Sequence, residues 1–156
     1  MKLLLFAVWT SYLASKLPCP LSSLTWSKEH VLPKSLFPPV ITNKPYNIIP
    51  LPTKINNARR SLRYTNKWED GYLVYACKHC PHPGFCAGAG VISPSGFMPP
   101  DVFKGPIARS VLKGIENHPK LTEKISQEVL DYDLAIEWDR RHPESLSERH
   151  YRSNSS

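Results

Sequence analysis

The chain has 156 residues, of which 16 are proline and 7 are glycine, and 20 Lys and Arg residues against 13 Asp and Glu residues give a formal net charge of +7. This length allows one domain of ordinary size. Proline at about twice its usual share of roughly 5% argues against a continuous sheet or a helical bundle over the whole chain. The sequence also lacks the short motifs of phosphate-loop NTPases, dinucleotide-binding folds, serine hydrolases and zinc proteases.

The first fifteen residues form an apolar leader, in which Lys2 precedes a run of apolar side chains. This pattern is typical of a secretory signal peptide. The run is too short to cross a membrane as a helix, which needs about 20 apolar residues. A mitochondrial presequence is a second alternative, because no acidic residue precedes Glu29. A third alternative is an uncleaved N-terminus that docks on the fold or on a partner, so the fate of residues 1–15 stays open.

Positive charge and proline are both concentrated in the first half of the chain. Residues 1–68 contain ten basic residues and one acid, whereas residues 69–156 contain ten basic and twelve acidic residues. Eight of the sixteen prolines lie between Pro18 and Pro52, among recurring apolar side chains. Proline disfavours helix and sheet interiors, but disordered linkers lack such apolar content. Residues 16–68 are therefore predicted to form a basic, proline-rich extended arm that covers its apolar side chains on the chain itself or on a partner.

Cations and aromatic side chains are interleaved at the end of this arm. The candidate partner-binding residues are Arg59, Arg60, Arg63, Tyr64, Lys67 and Trp68. Arginine forks pair with carboxylates or phosphates, and aromatic side chains anchor interfaces or stack on bases. Because the repeated pattern of a nucleic-acid module is absent, an acidic protein surface is favoured over nucleic acid as the partner. A solvated basic loop without a binding role is the alternative.

The strongest strand signal, over residues 71–76, leads directly into a turn rich in cysteine, histidine and proline. In this turn Cys77, Cys80 and Cys86 are candidate zinc ligands or disulfide partners. The spacing of the first two can direct both thiolates at one metal ion, but no second ligand pair follows. With Cys19 the chain has four cysteines, for which three pairings are possible. Free thiols are the remaining alternative, and no catalytic residue is assigned.

The C-terminal part of the chain is predicted to be helical. Apolar side chains at helical spacing indicate one helix over residues 106–116 and a longer one over about 120–140. The chain then divides, after the leader and the arm, into a strand and turn region at 69–105, a helical segment at 106–151 and a disordered tail at 152–156. The predicted fold class is mostly irregular with α, with an extended arm, one short β-strand or hairpin with a cysteine-rich turn, and two to three C-terminal helices.

These features predict a non-catalytic structural or interaction protein that lies extended on a larger acidic assembly. A microtubule or axonemal lining is the best single candidate, since a net charge of +7 is low for a protein embedded in RNA. A small secreted protein stapled by disulfides is the first alternative. A small zinc-binding module is the second. No cofactor is required outside that zinc alternative, no small-molecule substrate and no transmembrane helix are expected, and a cytoplasmic or cytoskeletal location is favoured over secretion and over mitochondrial import.

Overall fold

The computed structural model describes residues 2–20, 23–77 and 88–154. The helices in these ranges are α1 (Lys2–Ser15), α2 (Pro39–Thr42), α3 (Thr53–Arg59), α4 (Asp101–Asn117), α5 (Thr122–Glu128), α6 (Tyr132–Arg141) and α7 (Leu146–Ser153). The strands are β1 (Trp26–His30), β2 (Ile48–Pro52), β3 (Tyr72–Tyr75), β4 (Ala89–Ser93) and β5 (Gly96–Met98). Single 3₁₀ turns at Pro45–Asn47 and Pro119–Leu121 precede β2 and α5. The predicted fold class is therefore wrong, because helices and two small antiparallel sheets extend along most of the described chain.

The region predicted to be an extended arm folds into β1, α2, β2 and α3. Strands β1 and β2 pair antiparallel. At the two ends of this ladder Thr53 N donates to the Thr25 carbonyl and Val31 N donates to the Asn47 carbonyl, so the hydrogen-bonded positions of β2 are the odd-numbered ones. Pro50 and Pro52 lie at the even-numbered positions of β2, where the ladder needs no backbone N–H donor. Proline thus excludes long elements here but is compatible with short ones.

The second sheet is antiparallel in the order β3-β4-β5. Pro94 and Ser95 form the tight turn that joins β4 to β5, and Gly96, the first residue of β5, has a φ of +134°. The outer edge of β5 is covered by the chain that follows α3: Phe97 N donates to the Arg63 carbonyl at 2.7 Å, and Thr65 N donates to the Phe97 carbonyl at 3.0 Å. A side chain at position 96 would collide with the Arg63 carbonyl, so glycine allows this close approach. The sheet therefore fixes the loop that carries most of the predicted contact residues.

The long helix predicted over about 120–140 is divided into α5 and α6. Val129 and Leu130 lie between the two helices and are fully buried. The Val129 carbonyl accepts a hydrogen bond from Tyr64 N at 2.7 Å, which connects the break to the loop after α3. Asp131 then caps α6 by accepting from Leu134 N at 3.1 Å. The apolar periodicity continues through the break because the same side chains face one core, so periodicity alone does not locate it.

Helix α1 contributes to the core of the molecule. Trp9 and Leu13 are almost fully buried, and the Trp9 ring centroid lies 5.3 Å from that of Tyr151 on α7. Phe6 also contacts Tyr151, with ring centroids 5.5 Å apart. The predicted disordered tail begins inside α7, and Arg152 of that helix donates to the Pro106 carbonyl. Among the described residues, no helix is both long and apolar enough to cross a membrane.

Candidate interaction surface

The structure separates the six predicted contact residues into two groups. Arg59 is the last residue of α3, and Ile55 one turn earlier is also buried, so both side chains point into the core. Tyr64 is buried as well, because its backbone N–H binds Val129 and its ring packs against Phe97. The other four, Arg60, Arg63, Lys67 and Trp68, are exposed. Contact with a partner is therefore possible in this structure only for the exposed group.

Arg59 and Tyr64 meet a carboxylate in the interior. Arg59 Nη1 lies 3.5 Å from Glu29 Oε1 and donates to the His30 carbonyl at 3.3 Å, while Arg59 Nε donates to the Leu62 carbonyl at 2.8 Å. The Tyr64 hydroxyl donates to Glu29 Oε2 at 3.1 Å. The Arg59 guanidinium lies over the Tyr64 ring, 4.2 Å from its centroid. These three side chains form a closed polar cluster that joins β1, α3 and the following loop.

Burial strongly changes the proton affinity of this cluster. Desolvation raises the pKa of Glu29 to about 7, although the charge of Arg59 and the hydrogen bond from Tyr64 act in the opposite direction. Desolvation also raises the pKa of Tyr64 well above its ordinary value. Such shifts are common at catalytic sites. Here all three side chains are at most 4% exposed, which leaves no access for a substrate, and the cluster is better explained as a structural one.

An apolar groove lies beside the exposed end of the loop. Its volume is about 570 Å³, and it is lined by Asn66, Trp68, Gly71, Tyr72, Leu73, Val91, Met98 and Lys104. Trp68 and Tyr72 at its rim are 60% and 64% exposed. Two large aromatic side chains that remain this accessible beside an apolar groove are typical of an interaction site.

A second, polar cavity adjoins the groove and shares Asn66 with it. Its volume is about 790 Å³, and one wall is the loop that carries Arg63 and Lys67. The other wall is α6, which contributes carboxylates and one cation. The lining residues on that wall are Asp131, Asp133, Leu134, Glu137 and Arg140. The loop cations therefore lie in a surface of mixed charge rather than in a uniformly basic one.

We define the 60–72 surface as the exposed side chains of Arg60, Arg63, Lys67, Trp68 and Tyr72. The sequence prediction missed Tyr72, which was assigned only to a strand. Exposure does not alternate along β3, because only Tyr72 is exposed and the next three residues are half-buried, so the period of the strand could not have identified Tyr72. No pattern in the sequence places Val91, Met98 and Lys104 around the groove, because these residues lie on three separate elements, β4, β5 and α4.

Of the predicted cysteine site, the structure describes Cys77, which forms a disulfide with Cys19. Cys80 and Cys86 lie outside the described residues. Cys77 is therefore not available as a zinc thiolate while this bond is intact. In the part of the chain that the structure describes, no three His, Cys, Asp or Glu side chains are arranged to hold a metal ion. The bond joins the segment after α1 to the end of β3.

Replacing Cys19 and Cys77 together with serine is expected to lower the free energy of unfolding by about 2–4 kcal/mol, because the disulfide closes a loop with a sequence separation of 58 residues. Urea unfolding of the variant and of the unmodified chain, both without reductant, measures the difference. Peptide mapping under non-reducing conditions checks the pairing. A map that links Cys19 to Cys80 or Cys86 would contradict it.

Comparisons with known proteins provide no relative for this chain: no protein-family model matches it, and neither a curated protein nor a solved structure shows significant similarity to it. The 60–72 surface and the groove beside it are therefore the features from which we infer a function.

Proposed function

We propose that this chain is a non-catalytic interaction protein that binds a partner protein through the 60–72 surface. The observation that carries the proposal is the pair Trp68 and Tyr72, which remain 60% and 64% exposed at the rim of an apolar groove. Tryptophan, tyrosine and arginine are the residues that contribute most to binding energy at protein interfaces. An apolar side chain of the partner would enter the groove, and carboxylates around it would pair with Arg60, Arg63 and Lys67.

A protein is a better partner than nucleic acid for a surface of mixed charge. Glu69 and Asp70 separate the two exposed aromatic residues, and the carboxylates of α6 line the cavity opposite Arg63 and Lys67. A nucleic-acid backbone carries a negative charge about every 1.7 Å of duplex, so these carboxylates would oppose it. A protein surface can instead place single carboxylates opposite single cations. A microtubule or axonemal surface remains one candidate host, now reached through the 60–72 surface.

Site-specific photo-cross-linking tests the proposal. A photoreactive phenylalanine analogue is placed at position 68 or 72 of the full-length chain in cells, and at position 146 as the control, because Leu146 is equally exposed at 64% but lies on α7. We expect discrete protein adducts from positions 68 and 72 and none from position 146. Mass spectrometry of the adducts then identifies the host and shows whether tubulin is present.

Charge reversal gives the second part of the test. Combined substitution of Arg60, Arg63 and Lys67 by glutamate should reduce the position 68 adduct at least tenfold, whereas reversal of Lys113 and Lys120 on the exposed side of α4 and the following turn should not. Equal cross-linking at all three positions, or adducts that consist of nucleic acid, would refute a protein-binding role for this surface.

A further inference from the structure

The outward face of α1 is apolar and exposed. Leu3 and Leu4 are 78% and 65% exposed, and Val8 and Tyr12 are 47% and 38% exposed. Between Leu3 and Ser15 the helix has no charged side chain. A helix on the surface of a globular protein ordinarily carries charged and polar residues on the face that points away from the core. The outward face of α1 therefore lacks the composition expected of a face in contact with water alone.

Packing within the fold leaves large parts of these four side chains uncovered, most of all at Leu3 and Leu4. The core uses the opposite face of α1, where Trp9 and Leu13 are buried and the Trp9 ring contacts Tyr151. The Arg152 guanidinium also lies over Trp9, with its Cζ 5.5 Å from the ring centroid. Because this inner face is already packed, the outward apolar residues remain available for a contact outside the chain.

We infer that the outward face of α1 lies on the surface of an anionic lipid bilayer, with the helix axis in the plane of the membrane. Lys2 and Lys16 stand at the two ends of the apolar stretch, where their ammonium groups can reach lipid phosphates or carboxylates. Helices of this kind insert their apolar face about 5–10 Å into the boundary between headgroups and acyl chains.

The charge distribution around α1 supports an anionic lipid. The first acidic residue of the chain is Glu29, and its side chain is buried against Arg59. No carboxylate of residues 2–20 therefore opposes the approach of Lys2 and Lys16 to a negative surface. The Lys16 ammonium also lies 5.4 Å from the centroid of the Tyr12 ring, which places this cation beside the apolar face. Each lysine near such a surface strengthens binding about fivefold.

Charge argues against a second copy of the chain as the occupant. A two-fold contact between copies of this face would bring the Lys2 and Lys16 ammonium groups of both chains together, and residues 2–20 contain no carboxylate to pair with them. An anionic bilayer offers phosphates and carboxylates to the same lysines and needs no matching patch. Lipid is therefore the occupant that charge favours.

Vesicle flotation with the full-length chain tests the inference. The probes are vesicles of 30% phosphatidylserine in phosphatidylcholine and vesicles of phosphatidylcholine alone. We expect binding to the anionic vesicles, at least tenfold weaker binding to the neutral ones, and a further tenfold loss when Leu4 and Val8 are both replaced by serine. The control replaces Val40 and Leu146, which are similarly exposed elsewhere, by serine and should bind as the unmodified chain does.

The comparison is independent of folding because all four substituted residues are exposed, and circular dichroism melting verifies that both variants retain the fold. Failure of the unmodified chain to bind anionic vesicles would overturn the inference, as would unchanged binding by the Leu4 and Val8 variant. Analytical ultracentrifugation without lipid provides the third outcome: a dimer that the same double substitution dissociates would assign this face to a second copy and overturn the lipid assignment.

Discussion

Replacement of Arg59 by methionine is expected to lower the free energy of unfolding by about 3–5 kcal/mol at pH 8. The substitution leaves Glu29 buried without its cation, and it removes the donors to the His30 and Leu62 carbonyls. Methionine fills much of the same volume, so most of the loss comes from the unpaired polar groups rather than from a cavity. Urea unfolding followed by circular dichroism at pH 8 measures the effect.

The destabilisation should decrease at acidic pH. The pKa of Glu29 is raised from 4.5 to about 7 by burial, so the folded chain binds more protons at this site than the unfolded chain between those values. The contribution of Glu29 to stability is therefore fully present below pH 4.5 and is lost as the pH rises through 7. Without Arg59 the ionised form of Glu29 destabilises the fold further, because its cation is missing. At pH 5, where Glu29 is protonated in the fold, we expect about half of the loss seen at pH 8.

A double substitution separates the charge pair from the rest of the environment. Replacing Glu29 by glutamine in the Arg59→Met chain should recover about half of the loss at pH 8, because the unpaired buried carboxylate is then absent. The double variant has no carboxyl group at position 29. Its free energy of unfolding should therefore not change between pH 5 and pH 8 through titration of that residue. Burial lowers the pKa values of His30 and His142, so these residues also titrate. Their contribution cancels when the free energies of unfolding of the variants are compared at the same pH. A loss below 1 kcal/mol for Arg59→Met at pH 8 would show that the pair does not stabilise the fold.

The same cluster shows why part of the candidate site could not be predicted. Interleaved cations and aromatics have the same local pattern whether they face solvent or a buried carboxylate. The partner of Arg59 and Tyr64 is Glu29, which is 30 and 35 residues away along the chain, and no local rule reports such a distance. A weak signal existed, since Glu29 is the one acid among ten basic residues in the first 68. A single acid in a basic segment is a candidate for a buried ion pair.

The fold was predictable where side-chain period and element length agree. The structure places β3 within the range of the strand signal, and α4 covers the predicted 106–116 helix but starts five residues earlier, at Asp101. Pro106 lies inside α4, which a rule that starts helices at proline does not foresee. The prediction was wrong for the first half of the chain because dense proline was interpreted as evidence of an extended arm. At hydrogen-bond-free positions, as in β2, proline leaves a short ladder intact.

Replacement of Glu148 is also expected to have a large effect on the free energy of unfolding. Its carboxylate is 1% exposed and binds two arginines: Oε1 accepts from Arg109 Nη2, and Oε2 accepts from both Arg109 Nε and Arg152 Nε, each at 2.7 Å. Replacement by glutamine keeps the shape but removes the charge, which leaves two largely buried guanidinium groups without their shared anion. We expect a loss of about 3–5 kcal/mol in the free energy of unfolding.

Arg109 cannot relieve this cost by losing its proton. Burial acts to lower its pKa, but the hydrogen bonds and charges of Glu148 and Asp139 outweigh burial and raise the pKa above its ordinary value. The guanidinium therefore stays charged in the folded chain at any pH used for unfolding. Arg109 Nη1 also donates to the His142 carbonyl at 2.7 Å, so this side chain ties α4 to the segment between α6 and α7.

The matched control is Glu144→Gln. Glu144 pairs with Arg149 at 3.3 Å, but the Arg149 side chain is 62% exposed, and such surface pairs contribute at most about 1 kcal/mol. Because α1 packs on α7 through Trp9 and Tyr151, Glu148→Gln should also increase amide hydrogen exchange in α1, whereas Glu144→Gln should not. Equal losses for the two variants, or protection of α1 that is unchanged by Glu148→Gln, would show that the carboxylate does not hold α7 and α1 on the core.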